Sequence, residues 1–163
     1  MTAFIVVSMT AAITVGICCL IAYEIMRIIW EKLPKLTMQP RLRVPLLIGP
    51  IFLSHILSIW LYSLVYFGIE NFTKIGAIVG QGKSVGLSYD TFLDCLYFSA
   101  TTYTSLGFGD LTPTENIRML AAAEVLNGLV LIAWTASFTY LAMEKFWPLP
   151  HGGYRRRSSD HPQ

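Results

Sequence analysis

Three long apolar blocks dominate the chain, with polar or glycine-rich segments between them. The blocks run from about Phe4 to Ile29, from about Leu46 to Phe67 and from about Met119 to Met143. Each reaches the roughly 20 apolar residues that a helix needs to cross a bilayer. No basic residue precedes the first block, which is also too long for the apolar part of a signal peptide, so we expect a retained helix. The pattern predicts an all-α membrane protein with three transmembrane helices.

A shorter, mostly apolar stretch lies between the second and third blocks. It runs from Thr91 to Tyr103 and follows a polar, glycine-rich loop over residues 69–89. Because it is too short to cross the bilayer, we expect a re-entrant helix. Residues 100–110, ATTYTSLGFGD, come next, with two glycines around one aromatic residue and an aspartate directly after them. A short helix and a glycine-punctuated strand between two spanning helices are typical of a pore loop.

Composition supports the membrane assignment and excludes several other classes of protein. The chain has 163 residues, of which 54% are hydrophobic and 13% charged. A water-soluble domain of this size is less apolar. Its three cysteines, Cys18, Cys19 and Cys95, lie in apolar surroundings, which favours buried thiols over a disulfide or a metal site. Since no nucleotide-binding motif, metal cluster or nucleophile–base pair is present, we expect no enzyme activity, no cofactor, no nucleic-acid partner and no small-molecule substrate.

Basic residues predict the orientation of the chain in the membrane. They concentrate between the first two blocks and in the C-terminal tail, and such clusters favour the cytoplasmic side. The N-terminus and the TSLGFGD segment are then outside, and the C-terminus is cytoplasmic. Prolines at positions 34, 40 and 45 are expected to break the helix between the blocks. The predicted units are an N-terminal transmembrane helix (1–30), a cytoplasmic basic loop (31–45), a pore domain (46–145) and a disordered cytoplasmic tail (146–163).

Residues 97–110, YFSATTYTSLGFGD, resemble the pore helix and selectivity filter of potassium channels. The family core T-V-G-Y-G-D is matched by the six residues from Ser105 to Asp110, and the resemblance extends from about Leu46 to Met143. The chain is similar to prokaryotic channels with two helices and a pore loop, with an extra helix in front. The resemblance implies a homotetrameric potassium channel in the plasma membrane, surrounded by lipid, with a re-entrant pore helix. Its only bound ions would be the permeant potassium ions, at Ser105, Leu106, Gly107 and Phe108.

The requirements of a filter agree with these residues. Consecutive backbone carbonyls must face one axis to replace the hydration shell of an ion. That needs backbone dihedrals of alternating hand, which glycine adopts without strain. Gly107 and Gly109 stand at the alternate positions where this is required, and Asp110 follows at the outer mouth. One loop cannot surround an ion, so four copies around an axis are implied. The expected filter comprises Thr104, Ser105, Leu106, Gly107, Phe108, Gly109 and Asp110.

The sequence departs from the family pattern at several positions. Leu106 replaces valine or isoleucine, and Phe108 replaces a tyrosine that bonds a pore-helix tryptophan in the family. Phe98 stands at the tryptophan position and has no polar tip, so an apolar pair with Phe108 is expected. Tyr97 matches a second tryptophan, and we expect its hydroxyl to reach Asp110. Filter support is predicted from Tyr97, Phe98 and Thr101, the last standing where some relatives carry a carboxylate. A non-selective cation channel, or a poorly conducting regulatory or structural subunit with the same fold, is the alternative.

The third block carries further candidates with open interpretations. Gly128 is either a hinge of the inner helix or a site of close helix packing. Helical spacing nominates Val130, Ala133 and Ser137 for a cavity wall. Neither of the first two blocks carries arginines at every third position, so nothing indicates a voltage sensor.

Three polar residues within the spanning blocks are also unexplained by hydropathy. Glu124 is expected to support the filter from behind or to pair with Arg118, and Asn127 lies one turn further on. His55 in the second block is either a pH sensor or a hydrogen-bonded structural residue.

Overall fold

The computed structural model describes residues 1–35, 40–73 and 75–146, so the tail predicted over 146–163 lies outside the described residues except for its first position. The chain order is helix α1, a short 3₁₀ turn, helix α2, strand β1, helix α3, strand β2 and helix α4. These elements span Thr2–Lys32 (α1), Leu33–Lys35 (the turn), Pro40–Phe72 (α2), Ile78–Gly80 (β1), Tyr89–Tyr103 (α3), Leu111–Pro113 (β2) and Ile117–Phe146 (α4).

Within the described residues, three helices are long and apolar enough to cross a membrane, as the apolar blocks predicted. The candidate spans are Thr2–Lys35, Pro45–Phe72 and Ile117–Lys145. Helix α3 has 15 residues and is therefore about 22 Å long. That is shorter than the roughly 30 Å hydrocarbon core of a bilayer. The prediction of a short helix between the second and third spans is confirmed.

Helix α2 begins earlier than the sequence predicted. It starts at Pro40 and contains Pro45 and Pro50, so the helix break expected at Pro45 is wrong. Proline is favoured at the first helical position, where no backbone N–H needs a partner. Within membrane helices, proline is tolerated because neighbouring groups satisfy the freed carbonyls. Pro34 does lie beyond the end of α1, in the 3₁₀ turn.

Helix α1 packs on the rest of the chain through a narrow stripe. The stripe repeats every three or four residues, the spacing of one helical face. Its buried members are Val7, Ala11, Thr14, Cys18, Ala22, Met26 and Ile29. Small residues let helices approach closely in a membrane. The apolar members from Val7 to Met26 form a core with Tyr62 and Tyr66 of α2 and with Leu120 and Leu131 of α4. Ile29 belongs to a second cluster with residues of α2 and α4, so α1 is part of the folded unit.

A two-stranded antiparallel sheet was not predicted. Strands β1 and β2 pair Ile78 with Pro113, Val79 with Thr112 and Gly80 with Leu111. Runs of three residues are too short to show the alternation by which strands are recognised in a sequence. The sheet joins the loop after α2 to the residues that directly follow Asp110.

Candidate functional site

Helix α3 has a defined beginning. Ser88 is its N-cap, and the Ser88 hydroxyl oxygen accepts the Thr91 backbone N–H at 3.1 Å. Asp90 lies in the first turn, where a negative charge is favoured by the helix dipole. The helix ends at Tyr103, as predicted, and delivers the chain directly into residues 104–110.

The C-terminus of α3 is closed by a Schellman cap, which the sequence analysis missed. The Ser105 N–H donates to the Thr102 carbonyl at 2.9 Å, and the Leu106 N–H donates to the Thr101 carbonyl at 2.9 Å. Ser105 has φ +60, the left-handed conformation that such a cap requires. No signal marked this position because glycine or asparagine is usual there. The cap fixes the direction in which the chain leaves the helix.

Both glycines of the TSLGFGD segment have left-handed backbones. Gly107 has φ +49 and Gly109 has φ +83, as the filter hypothesis required of those positions. The chain has a turn at residues 104–105, no regular secondary structure at 106–108 and a bend at 109–110, and β2 begins only at Leu111. The glycine-punctuated segment predicted here is therefore not part of a β-sheet. Alternating backbone hand is incompatible with a β-ladder. Leu106 and Phe108 are 57% and 66% exposed in the single chain.

Asp110 is held against α3 by its carboxylate. The Tyr97 hydroxyl donates to Asp110 Oδ2 at 2.8 Å, so the hydrogen bond predicted from the sequence is confirmed. The bond stabilises the ionised carboxylate and lowers the pKa of Asp110. It also raises the pKa of Tyr97, whose proton it retains. Asp110, which directly follows Gly109, is therefore tied to the middle of α3.

Glu124 of α4 connects that helix to α2 and α3 through side-chain hydrogen bonds. Its side chain is fully buried and accepts a hydrogen bond from the Tyr66 hydroxyl of α2 at 2.6 Å. The Ser99 hydroxyl of α3 lies 2.6 Å from the other carboxylate oxygen. The predicted pair with Arg118 is wrong, because the Arg118 side chain instead donates to the Pro113 carbonyl at 3.2 Å. Six helical positions separate the two residues, which places them on different faces of α4.

Three further polar contacts connect α2 to α3 and α4. His55 of α2 lies 2.8 Å from the Tyr103 hydroxyl through Nδ1 and 3.1 Å from the Thr135 hydroxyl through Nε2. Both ring nitrogens are engaged, which confirms the hydrogen-bonded structural interpretation of His55. The Asn127 amide nitrogen donates to the Tyr62 hydroxyl at 3.3 Å.

The aromatic partner of Phe98 in the chain is Tyr66. Their ring centroids are 5.1 Å apart in an edge-to-face arrangement, and Phe98 is only 4% exposed. A pair between Phe98 and Phe108 therefore stays a prediction for the assembled protein. Thr101 donates its hydroxyl to the Phe98 carbonyl at 3.0 Å, and the buried carboxylate behind α3 comes instead from Glu124. Tyr66 therefore contacts both Phe98 and Glu124, and the sequence analysis did not identify it.

Gly128 is a site of close packing. A Cβ atom there would overlap the backbone carbonyl oxygen of Tyr103, and α4 runs without interruption through this position. The structure supports close packing at Gly128 and gives no support for a hinge there. Val130, Ala133 and Ser137 lie together on an exposed face of α4, turned away from the core of the chain. Their place in a cavity wall stays a prediction.

Comparison with known proteins identifies the part of the chain that holds these features. A family model described as an ion channel matches residues 51–145, more than half of the chain. The match contains most of α2, all of α3, residues 104–110 and nearly all of α4. Neither a curated protein nor a solved structure shows a significant match to the chain.

Proposed function

Because the chain belongs to the ion channel family with a two-helix pore domain, which includes potassium channels, we propose that it forms a homotetrameric, potassium-selective channel. Its filter is the segment from Thr104 to Asp110. The observation that carries this proposal is the backbone of Gly107 and Gly109, both left-handed, directly after the cap of a short helix between two spans. Alternating hand at this point lets successive carbonyls face one axis.

The permeant ions are the cargo of the site. In the proposed filter they bind to the main-chain carbonyls of Ser105, Leu106, Gly107 and Phe108, so the side chains of Leu106 and Phe108 point away from the axis. A hydroxyl at Ser105 marks the inner end. The contacts of Glu124 behind α3 keep the helix that carries these residues in a fixed position.

One chain leaves the filter segment incomplete. Residues 104–110 are exposed in the single chain, and unpaired carbonyls at membrane depth are tolerated only beside protein, water or ions. A closed ring of four copies places these carbonyls beside neighbouring protein, water and permeant ions. Helix α3 is then re-entrant, and the exposed face with Val130, Ala133 and Ser137 lines the cavity below the filter.

The tetramer is tested by mass measurement of the purified protein in mild detergent. We expect four chains in each particle, because the carbonyl ring needs four copies of residues 104–110 around an ion. A monomer that conducts ions would contradict the proposed site.

The orientation is tested by single-cysteine labelling with an impermeant reagent. Basic residues around position 38 predict that this loop is cytoplasmic and that the N-terminus is outside. In a background with alanine at the three native cysteines, Met38→Cys should stay unlabelled in intact cells, and Val85→Cys should label strongly. The reverse pattern would invert the orientation and place the C-terminus outside.

A non-selective cation channel is the alternative that the sequence favours most. Leu106 and Phe108 both differ from the potassium-channel pattern, and Phe108 has no hydroxyl with which to hold the filter to α3. A poorly conducting subunit with the same fold is the third possibility. The current and reversal potential recorded with potassium on one side and sodium on the other distinguish the three.

A further inference from the structure

The loop between α2 and α3 contacts the exit of the proposed filter through main-chain groups. Strand β1 pairs with β2 so that Gly80 lies opposite Leu111, the residue that directly follows Asp110. A Cβ atom at Gly80 would overlap the Asp110 carbonyl oxygen and would lie 2.6 Å from the Leu111 side chain. Position 80 thus requires glycine because of steric overlap with the neighbouring backbone.

The opposite end of the sheet is closed by Thr114. Its hydroxyl donates to the Ala77 carbonyl at 2.8 Å and lies 3.0 Å from the Ala77 nitrogen, which donates to it. The Thr114 N–H also donates to the Ala77 carbonyl at 2.9 Å. Ile78, between the two ends, is buried in the main hydrophobic core. The strand is therefore fixed along its whole length.

The far side of the loop is anchored to α2 and α3. Lys83 forms an ion pair with Glu70 of α2, and their side chains are only 5% and 11% exposed. The Ser84 N–H donates to the Asp94 carboxylate of α3 at 2.8 Å. Burial makes an ion pair of this kind costly to break from one side. The loop over residues 75–84 is thus a rigid connection between two helices and the chain after Asp110.

We infer that this loop positions the outer end of the filter and that Gly80 is its positioning residue. The inference rests on the proposed function of residues 104–110. Asp110 is then held from two sides, with Tyr97 on its carboxylate and Gly80 against its carbonyl. Displacing β1 moves the Asp110 backbone and, through it, the carbonyl of Gly109. The loop thereby becomes a determinant of ion selectivity, although it contributes no atom to the ion pathway.

Gly80→Ala tests the inference with two measurements on the full-length protein in liposomes. Overlap at this position should raise amide hydrogen exchange over residues 110–114 by roughly tenfold or more and lower the potassium-to-sodium permeability ratio by about the same factor. Exchange in α1 should match that of the parental protein. The exchange measurement does not depend on conduction, so failure of the proposed function is distinguishable from failure of the inference.

Two further variants make the test specific. Gly68→Ala is the matched control, because a Cβ atom at Gly68 meets no atom within 4 Å, and it should change neither measurement. Thr114→Val keeps the side-chain shape, removes the hydroxyl that closes the sheet and should shift both measurements in the same direction by a smaller factor. If Gly80→Ala fails to insert into the membrane, Thr114→Val tests the inference in its place. The inference would be overturned if the folded variants showed the same hydrogen exchange over residues 110–114 as the parental protein. It would also be overturned if the parental protein conducts and the variants keep its potassium-to-sodium permeability ratio.

Discussion

Replacement of Gly107 by alanine should abolish or strongly reduce potassium flux while leaving membrane insertion and helix content intact. Gly107 has φ +49, and a Cβ atom built there meets no atom within 4 Å in the single chain. The cost is therefore conformational, roughly 1–2 kcal/mol for an L-residue in the left-handed region. Four symmetric copies repeat this cost around one ion pathway. The arrangement of the carbonyl ring should therefore be disrupted while the helices stay folded.

Gly86→Ala is the matched control for this experiment. Gly86 has φ +91, and a Cβ atom there also meets nothing within 4 Å, so the variant carries similar backbone strain outside the proposed filter. Potassium and sodium flux should be recorded at equal incorporation of each variant into liposomes. If Gly107→Ala conducts potassium at the parental rate and selectivity, residues 104–110 are a turn and not a filter.

Loss of the Glu124 carboxylate should cause the largest fall in stability of any single substitution proposed for the chain. Glu124→Ala leaves the Tyr66 and Ser99 hydroxyls without their buried acceptor and opens a cavity between α2, α3 and α4. Orphaned polar groups and lost packing together should lower the free energy of unfolding by about 3–5 kcal/mol. Glu124→Gln retains one carbonyl oxygen and should fall between the parental protein and the alanine variant.

Unfolding in a denaturing detergent titration measures this effect. Glu144→Ala is the control on the same helix, because Glu144 is exposed and surface changes usually stay within about 0.5 kcal/mol. A Glu124→Ala protein as stable as the Glu144→Ala protein would show that the carboxylate does not hold α3 in place.

Much of this architecture is predictable because hydropathy and backbone sterics act locally. The three spans, the short helix ending at Tyr103 and the left-handed glycines all follow from residues that are close in the sequence. The contact between Tyr97 and Asp110 was predicted from the family pattern over one short segment. The spans and the short helix depend on the length of an apolar run, the left-handed positions on glycine, and the contact between Tyr97 and Asp110 on a sequence motif.

The features that were missed depend on long-range contacts or on unusual local choices. The partners of Glu124 lie 58 and 25 positions away in the sequence, and no periodicity indicates them. Strand β1 is recognised only through its pairing with β2. Ser105 adopts a conformation that glycine usually takes, and Pro45 lies inside a helix that a soluble protein would end there. In each case tertiary contacts or the membrane setting outweigh the local preference.

The reversal potential of the purified channel in a planar bilayer, with potassium on one side and an equal concentration of sodium on the other, tests the central claim most directly. We expect a large reversal potential of the sign set by potassium permeation, because the carbonyl ring of residues 105–108 replaces the hydration shell of that ion. A reversal potential near zero with substantial current would establish a non-selective cation channel and contradict the claim of potassium selectivity.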